Sequence, residues 1–303
     1  MAHTHHHHHH NHGEIKGKNL IITMLLNFSI TTAEIIGGIF SGSLSLISDA
    51  LHNLSDGISV IITYIALKLA QKKNTEKMTF GYKRAEIFAA LFNSSVLIVV
   101  SVYLFKEAYL KFINPEPIKG GIMIAIALIG LFANTFSVFL LRKNAKDNVN
   151  IKSTYLHLLS DALSSIGVVI GGIMIYFYNI NWIDPVLTVI IGIYVLKESL
   201  EILSDTIKIL MQKAPDHIDV YEIKKDIENL DKVENIHHLH IWQVNEHDIH
   251  IEFHVKVKED IKLSAADSIR DRINKLLHDK FEINHSIIQI EFIQKDETTL
   301  IKV

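Results

Sequence analysis

Six apolar stretches, each long enough to cross a bilayer, fill this chain between residues 20 and 210. A hydrocarbon core requires about 20 apolar residues per helix. Backbone polar groups inside it must be satisfied within the segment, so each stretch is expected to be a helix. The spans fall at 20–40, 44–70, 85–112, 118–141, 153–178 and 184–210, divided by short turns such as Asn114-Pro115-Glu116-Pro117. The loop between the second and third carries Lys72, Lys73, Lys77, Lys83 and Arg84, and that between the fourth and fifth carries Arg142, Lys143, Lys146 and Lys152. The alternate loops are nearly bare of positive charge. Basic loops stay in the cytoplasm, which predicts a multi-pass protein with both termini cytoplasmic; the inner (plasma) membrane is the expected location.

Beyond residue 212 the sequence turns charged and alternating. Three parts are therefore expected: a histidine-rich cytoplasmic tail at 1–16, a six-helix transmembrane domain at 17–211, and a soluble domain at 212–303. The tail (His3, His5 to His10, His12) is either a purification tag or a native metal-collecting segment, and the irregular flanking histidines favour the latter. Residues 1–13 are polar, and no cleavable signal peptide is expected. The absence of cysteine excludes disulfides, thiolate zinc sites and iron–sulfur clusters. A net charge of −3 leaves no footprint for nucleic acid.

Two spans carry the same polar pattern, His52-Asn53-Leu54-Ser55-Asp56 in the second and His157-Leu158-Leu159-Ser160-Asp161 in the fifth. An i, i+4 spacing sets both side chains of a pair on one helix face. Facing each other, the pairs would offer two imidazoles and two carboxylates, a tetrahedral set suited to zinc. Ionisable groups at membrane depth are costly and mark ion paths. A single pair would be better explained as histidine hydrogen-bonded to its own aspartate; two pairs favour a shared metal site and a carrier for divalent cations. Asp49, one turn before His52, is a candidate for the access path, balanced against a buried hydrogen-bonded acid. Asn27, Asn93 and Asn134 are expected to hydrogen-bond between helices, and Gly37-Gly38 and Gly171-Gly172 to let helices approach.

These residues resemble the cation diffusion facilitator family. The similarity lies in Ala33 to Gly38 with Ser43 to Asp56, in Phe80-Gly81-Tyr82-Lys83-Arg84-Ala85-Glu86 entering the third span, and in His157 to Leu163. It implies a homodimeric zinc/proton antiporter with six helices per protomer, a cytoplasmic dimerising domain, and a transport site at His52, Asp56, His157 and Asp161. Histidine at the first position is the version associated with zinc and cadmium. Some members hold a second metal in the loop after the second span, with histidine where Tyr82 stands here. The loop from 71 to 79 contains no histidine, so that site is not expected.

The soluble domain reads as αββαβ: helix 217–229, strands 234–243 and 247–257, helix 262–280 and strand 285–293, forming a small sheet with helices on one face. In a hairpin turning near Asn245-Glu246, His238 would oppose His254 and His240 would oppose Glu252. The third strand adds His285, Gln289 and Glu291. Exposed strand histidines are mostly only solvated, but their density here is unusual. The resemblance implies a regulatory zinc near the dimer contact, with His237, His240, His254 and Glu291 close to the family's liganding positions.

The expected function is thus export of a divalent metal, most simply zinc in exchange for protons, with no enzymatic activity, no organic cofactor, and partners limited to metal cations, protons, the bilayer and a second copy of the chain. An intramembrane metalloprotease would need a His-Glu-x-x-His helix, which the sequence lacks. A membrane-tethered metal sensor would leave His52 and His157 without a function.

Overall fold

A computed structural model describes residues 17–70, 72–141, 149–245, 248–293 and 299–301. The histidine-rich tail and the basic loop at 142–148 lie outside the described residues. Six long helices come first: α1 (Gly17–Ser41), α2 (Leu44–Ala70), α3 (Ala85–Ile113), α4 (Gly120–Leu141), α5 (Val149–Tyr178) and α6 (Ile183–Leu210). They match the six apolar stretches to within a few residues. Among the described residues, three are long and apolar enough to cross a membrane by length and composition: Ala85–Ile113, Gly120–Phe139 and Leu158–Tyr178. Helix α2 carries polar groups along its first half, Ser48, Asp49, His52 and Asn53 among them.

The chain divides into two compact units, one of residues up to 61 with 93–201, the other of 62–92 with 202–303. In the first unit, close packing depends on glycine. A Cβ at Gly37 would stand 2.6 Å from Ile126, and one at Gly38 would stand 2.6 Å from Ile47. The start of α2 is held from a distance in sequence. The carboxylate of Asp184, fully buried in the first turn of α6, accepts hydrogen bonds from Ser43 Oγ (2.6 Å), Leu44 N (2.8 Å), Ser45 N (3.1 Å) and Ser45 Oγ (2.6 Å). It satisfies donors that a helix start leaves orphaned and sets a negative charge at the positive end of the helix dipole.

In the second unit, α7 (Val220–Glu228), β1 (Val233–Gln243), β2 (Ile249–Val257), α8 (Leu263–Phe281) and β3 (His285–Glu291) realise the expected αββαβ order. The strands lie in the order β1-β2-β3, with β1 antiparallel and β3 parallel to β2. Alternation along β2 sends Ile249, Ile251, Phe253, Val255 and Val257 into a core shared with Ile223 and Ile227 of α7 and Ile269, Ile273 and Leu277 of α8. Asp219 caps α7 by accepting from Tyr221 N at 2.8 Å.

The hairpin register corrects one expectation. His237, not His238, pairs with His254, while His240 does face Glu252. One extra residue is accommodated between His237 and His240, a β-bulge in which His238 takes a positive φ of 53°. At the bulge the N–H groups of His238 and Leu239 donate to Thr299 O and Leu300 O, so residues from outside the hairpin pair with it.

Candidate metal centres

Within the helical unit, α2 and α5 bring His52 and Asp161 together, with Nε2 of the first 3.7 Å from Oδ1 of the second and both side chains buried. They wall a cavity of about 200 Å³ completed by Ser160, Leu163, Ser164, Ile190, Ile191 and Tyr194. The ring of Tyr194 stands edge-on to His52 at 5.9 Å, and its hydroxyl lies 3.3 Å from Ser160 Oγ. Asp56 and His157 lie on α2 and α5, one turn from these residues. Their side chains are outside the described residues.

Asp49 is 2% exposed and turned to α5, where its carboxylate accepts from Ser164 Oγ at 2.7 Å and from Ser165 Oγ at 3.5 Å. Glu34 of α1 is equally buried; one oxygen accepts from Asn53 Nδ2 at 3.2 Å, and the other has no hydrogen-bond partner among the described residues. A Cβ at Gly130 would stand 2.5 Å from that second oxygen, so the glycine makes room for it. Asn93 accepts from Ser55 at 3.0 Å, the helix-to-helix bond expected of it. Tyr194, Ser160, Ser164 and Ser165 escaped the sequence reading, because hydroxyls on apolar helices give no pattern until the facing helix is known.

The second centre lies on the sheet. His237 from β1, His254 from β2 and Glu291 from β3 place donor atoms within 4.8 Å of one another. His237 Nε2 is 2.9 Å from Glu291 Oε1, and His254 Nδ1 is 3.7 Å from Oε2. Among the described residues none of His237 Nε2, His254 Nδ1 and Glu291 Oε1 has a hydrogen-bond partner, although all three atoms are buried. Asn235 Oδ1 lies 3.3 Å from His237 Nδ1. An amide oxygen only accepts, so in a hydrogen bond between them the ring is the donor, and Nε2 is the nitrogen that faces the carboxylate. The three side chains could hold a metal ion, and a donor set of two imidazoles and a carboxylate fits zinc. The outer bond from Asn235 is the orienting kind that metal-bound histidines use. His240 stays outside this group: it is exposed, with its ring against His238 at 5.2 Å.

Comparison with known proteins matches these two parts to two family models. Residues 20–211 match the cation efflux transmembrane domain, and residues 215–293 match the cation efflux protein cytoplasmic domain. The chain belongs to the cation efflux family. Among relatives, the "Cadmium, cobalt and zinc/H(+)-K(+) antiporter" of Bacillus subtilis (strain 168) is 38% identical over 276 residues, 90% of this chain and 88% of its own length. The "Metal cation efflux system protein CzcD" of Cupriavidus metallidurans is 35% identical, over 90% of this chain and 86% of its own. The "Zinc transporter ZitB" of Escherichia coli (strain K12) is 33% identical, over 96% of this chain and 93% of its own. Membership in the cation efflux family makes the chain a membrane-integral protein and agrees with the resemblance read from its motifs.

Proposed function

We propose that this protein exports divalent metal, zinc foremost, by exchanging it for protons at a site in the membrane formed by His52, Asp56, His157 and Asp161. The observation that carries the reading is the buried His52–Asp161 pair on the wall of a cavity between α2, α5 and α6. A neutral imidazole and an ionised carboxylate make a half-site for zinc, and the i, i+4 spacing supplies the other half from the same two helices. An imidazole nitrogen cannot hold a proton and a metal together, so proton entry expels the metal and proton loss readmits it. Alternating exposure of one such site converts this competition into antiport. Six membrane spans, both termini in the cytoplasm and a plasma-membrane location complete the reading, supported by the basic loops and by relatives that are named as transporters and antiporters. The sheet centre is a resident, regulatory zinc, and the C-terminal domain joins two copies of the chain.

Zinc movement into proteoliposomes under an imposed pH gradient tests the proposal. Uptake is expected to follow the gradient and to stop when a protonophore collapses it. Uptake indifferent to the gradient would remove proton exchange from the account.

A further inference from the structure

A second cavity, about 490 Å³, opens in the unit that contains the C-terminal domain, and it is unlike either metal centre. Its lining includes Lys83 and Arg84 together with Met78, Phe80, Phe88 and Trp242. No carboxylate lines it. Lys83 is engaged, its Nζ 3.0 Å from Asp248 Oδ2; Arg84 pairs with no carboxylate among the described residues. The segment presenting these cations is held by tight turns. Thr75 and Met78 bond to each other, Gly81 N–H donates to Met78 O with φ at 65°, and Ala85 N–H donates to Tyr82 O. From the cavity, α3 runs directly into the most apolar kind of segment this chain has. Phe88 and Phe92, one turn apart on it, are 57% and 67% exposed.

A lining that combines aromatic rings with an arginine lacking a carboxylate partner among the described residues, at the start of a helix long and apolar enough to cross a bilayer, selects a particular kind of molecule. A soluble anion would use the cations and leave the aromatic wall wet. An apolar peptide or a neutral lipid would use the rings and leave Arg84 without a counter-charge. We infer that the cavity holds the headgroup of an anionic phospholipid, with its phosphate between Arg84 and Lys83 and its acyl chains along Phe88 and Phe92. The headgroup competes with Asp248 for Lys83. Because Asp248 stands at the end of the β1–β2 hairpin and Phe80 lies 5.6 Å from the ring of His250, the lipid touches the domain that carries the sheet centre. The inference rests on α3 crossing the membrane, not on zinc transport, so the two stand or fall separately.

Native mass spectrometry of the full chain, released from vesicles of phosphatidylcholine with phosphatidylglycerol, tests it. Phosphatidylglycerol is expected to be retained in preference to phosphatidylcholine, roughly fivefold less in Arg84→Gln, since one basic residue at a membrane surface contributes about that factor. Asp248→Asn, which frees Lys83, is expected to raise retention. Lys77→Gln, in the same loop but off the cavity wall, is the control for diffuse charge. Zinc binding at the sheet centre reports that each variant is folded. Equal retention of the two lipids, an equal loss in Lys77→Gln, or displacement of the lipid by glycerol phosphate as readily as by phosphatidylglycerol would each overturn the assignment.

Discussion

The two candidate metal centres are assembled by opposite means. His237, His254 and Glu291 project from three neighbouring strands whose spacing is fixed by main-chain hydrogen bonds, so their separation cannot change without breaking the sheet. His52 and Asp161 come from two helices, and helices can tilt or slide while their own hydrogen bonds stay intact. The first arrangement suits an ion that stays. The second suits an ion that passes through. A cation efflux protein needs both only if one centre carries the cargo and the other responds to its supply.

That contrast can be broken most sharply at the carboxylates. Asp161→Ala is expected to lower zinc transport in proteoliposomes on the order of a hundredfold or more, because the remaining ligands cannot offset the desolvation of a divalent ion. Glu291→Ala should leave transport measurable, within about tenfold of the unmodified protein. If Asp161→Ala still carries zinc, the cargo site has been misplaced.

A smaller effect sharpens the sheet centre itself. Glu291→Gln keeps the shape and removes the charge between the two histidines, and zinc affinity there should fall by about 10- to 100-fold in a competition titration with a chelator. Asn235→Ala leaves all three donors but frees the His237 ring to change tautomer, and a loss nearer tenfold is expected. Unchanged affinity in both variants would mean that the three side chains meet without binding metal.

The smallest expected effect concerns pH. Burial first, then the charges of His285 and Lys83, holds His250 below the ordinary histidine value of 6.5, with Asp248 acting weakly in the other direction. A histidine kept neutral by the fold contributes its full stability above that ordinary value, and this is lost as pH falls toward the lowered folded value, because the unfolded chain takes up the proton first. Thermal stability of the C-terminal domain should therefore decline on the acid side of 6.5, and His250→Gln should flatten the decline. An NMR titration midpoint for His250 at or above 6.5 would contradict the assignment.

What could be read from the sequence follows from the same contrast. Helical periodicity is local, so the i, i+4 pairs His52–Asp56 and His157–Asp161 were legible from spacing, as were the helix boundaries and the αββαβ order. Partners across helices were not: Tyr194, Ser160 and the Ser164 bond to Asp49 depend on which face α5 and α6 turn to α2. Nor could the cap on α2 be foreseen, since Asp184 reads as the first residue of a span until its carboxylate is seen on Ser43 and Ser45. On the sheet, counting back from the turn put His238 opposite His254, one residue out, because of the bulge at His238, whose N–H groups pair with Thr299 and Leu300, some sixty positions away in sequence. That single residue decides the ligands, for a register slip of one exchanges the faces of a strand.

The central claim is that cargo and resident zinc occupy chemically separate centres. The most direct measurement is an equilibrium zinc titration of the purified full chain, unmodified and as Asp161→Ala, at neutral and at acid pH. Two classes of site are expected in the unmodified protein, with Asp161→Ala abolishing one and leaving the affinity of the other unaltered. Loss of both classes together, or of neither, would contradict the account.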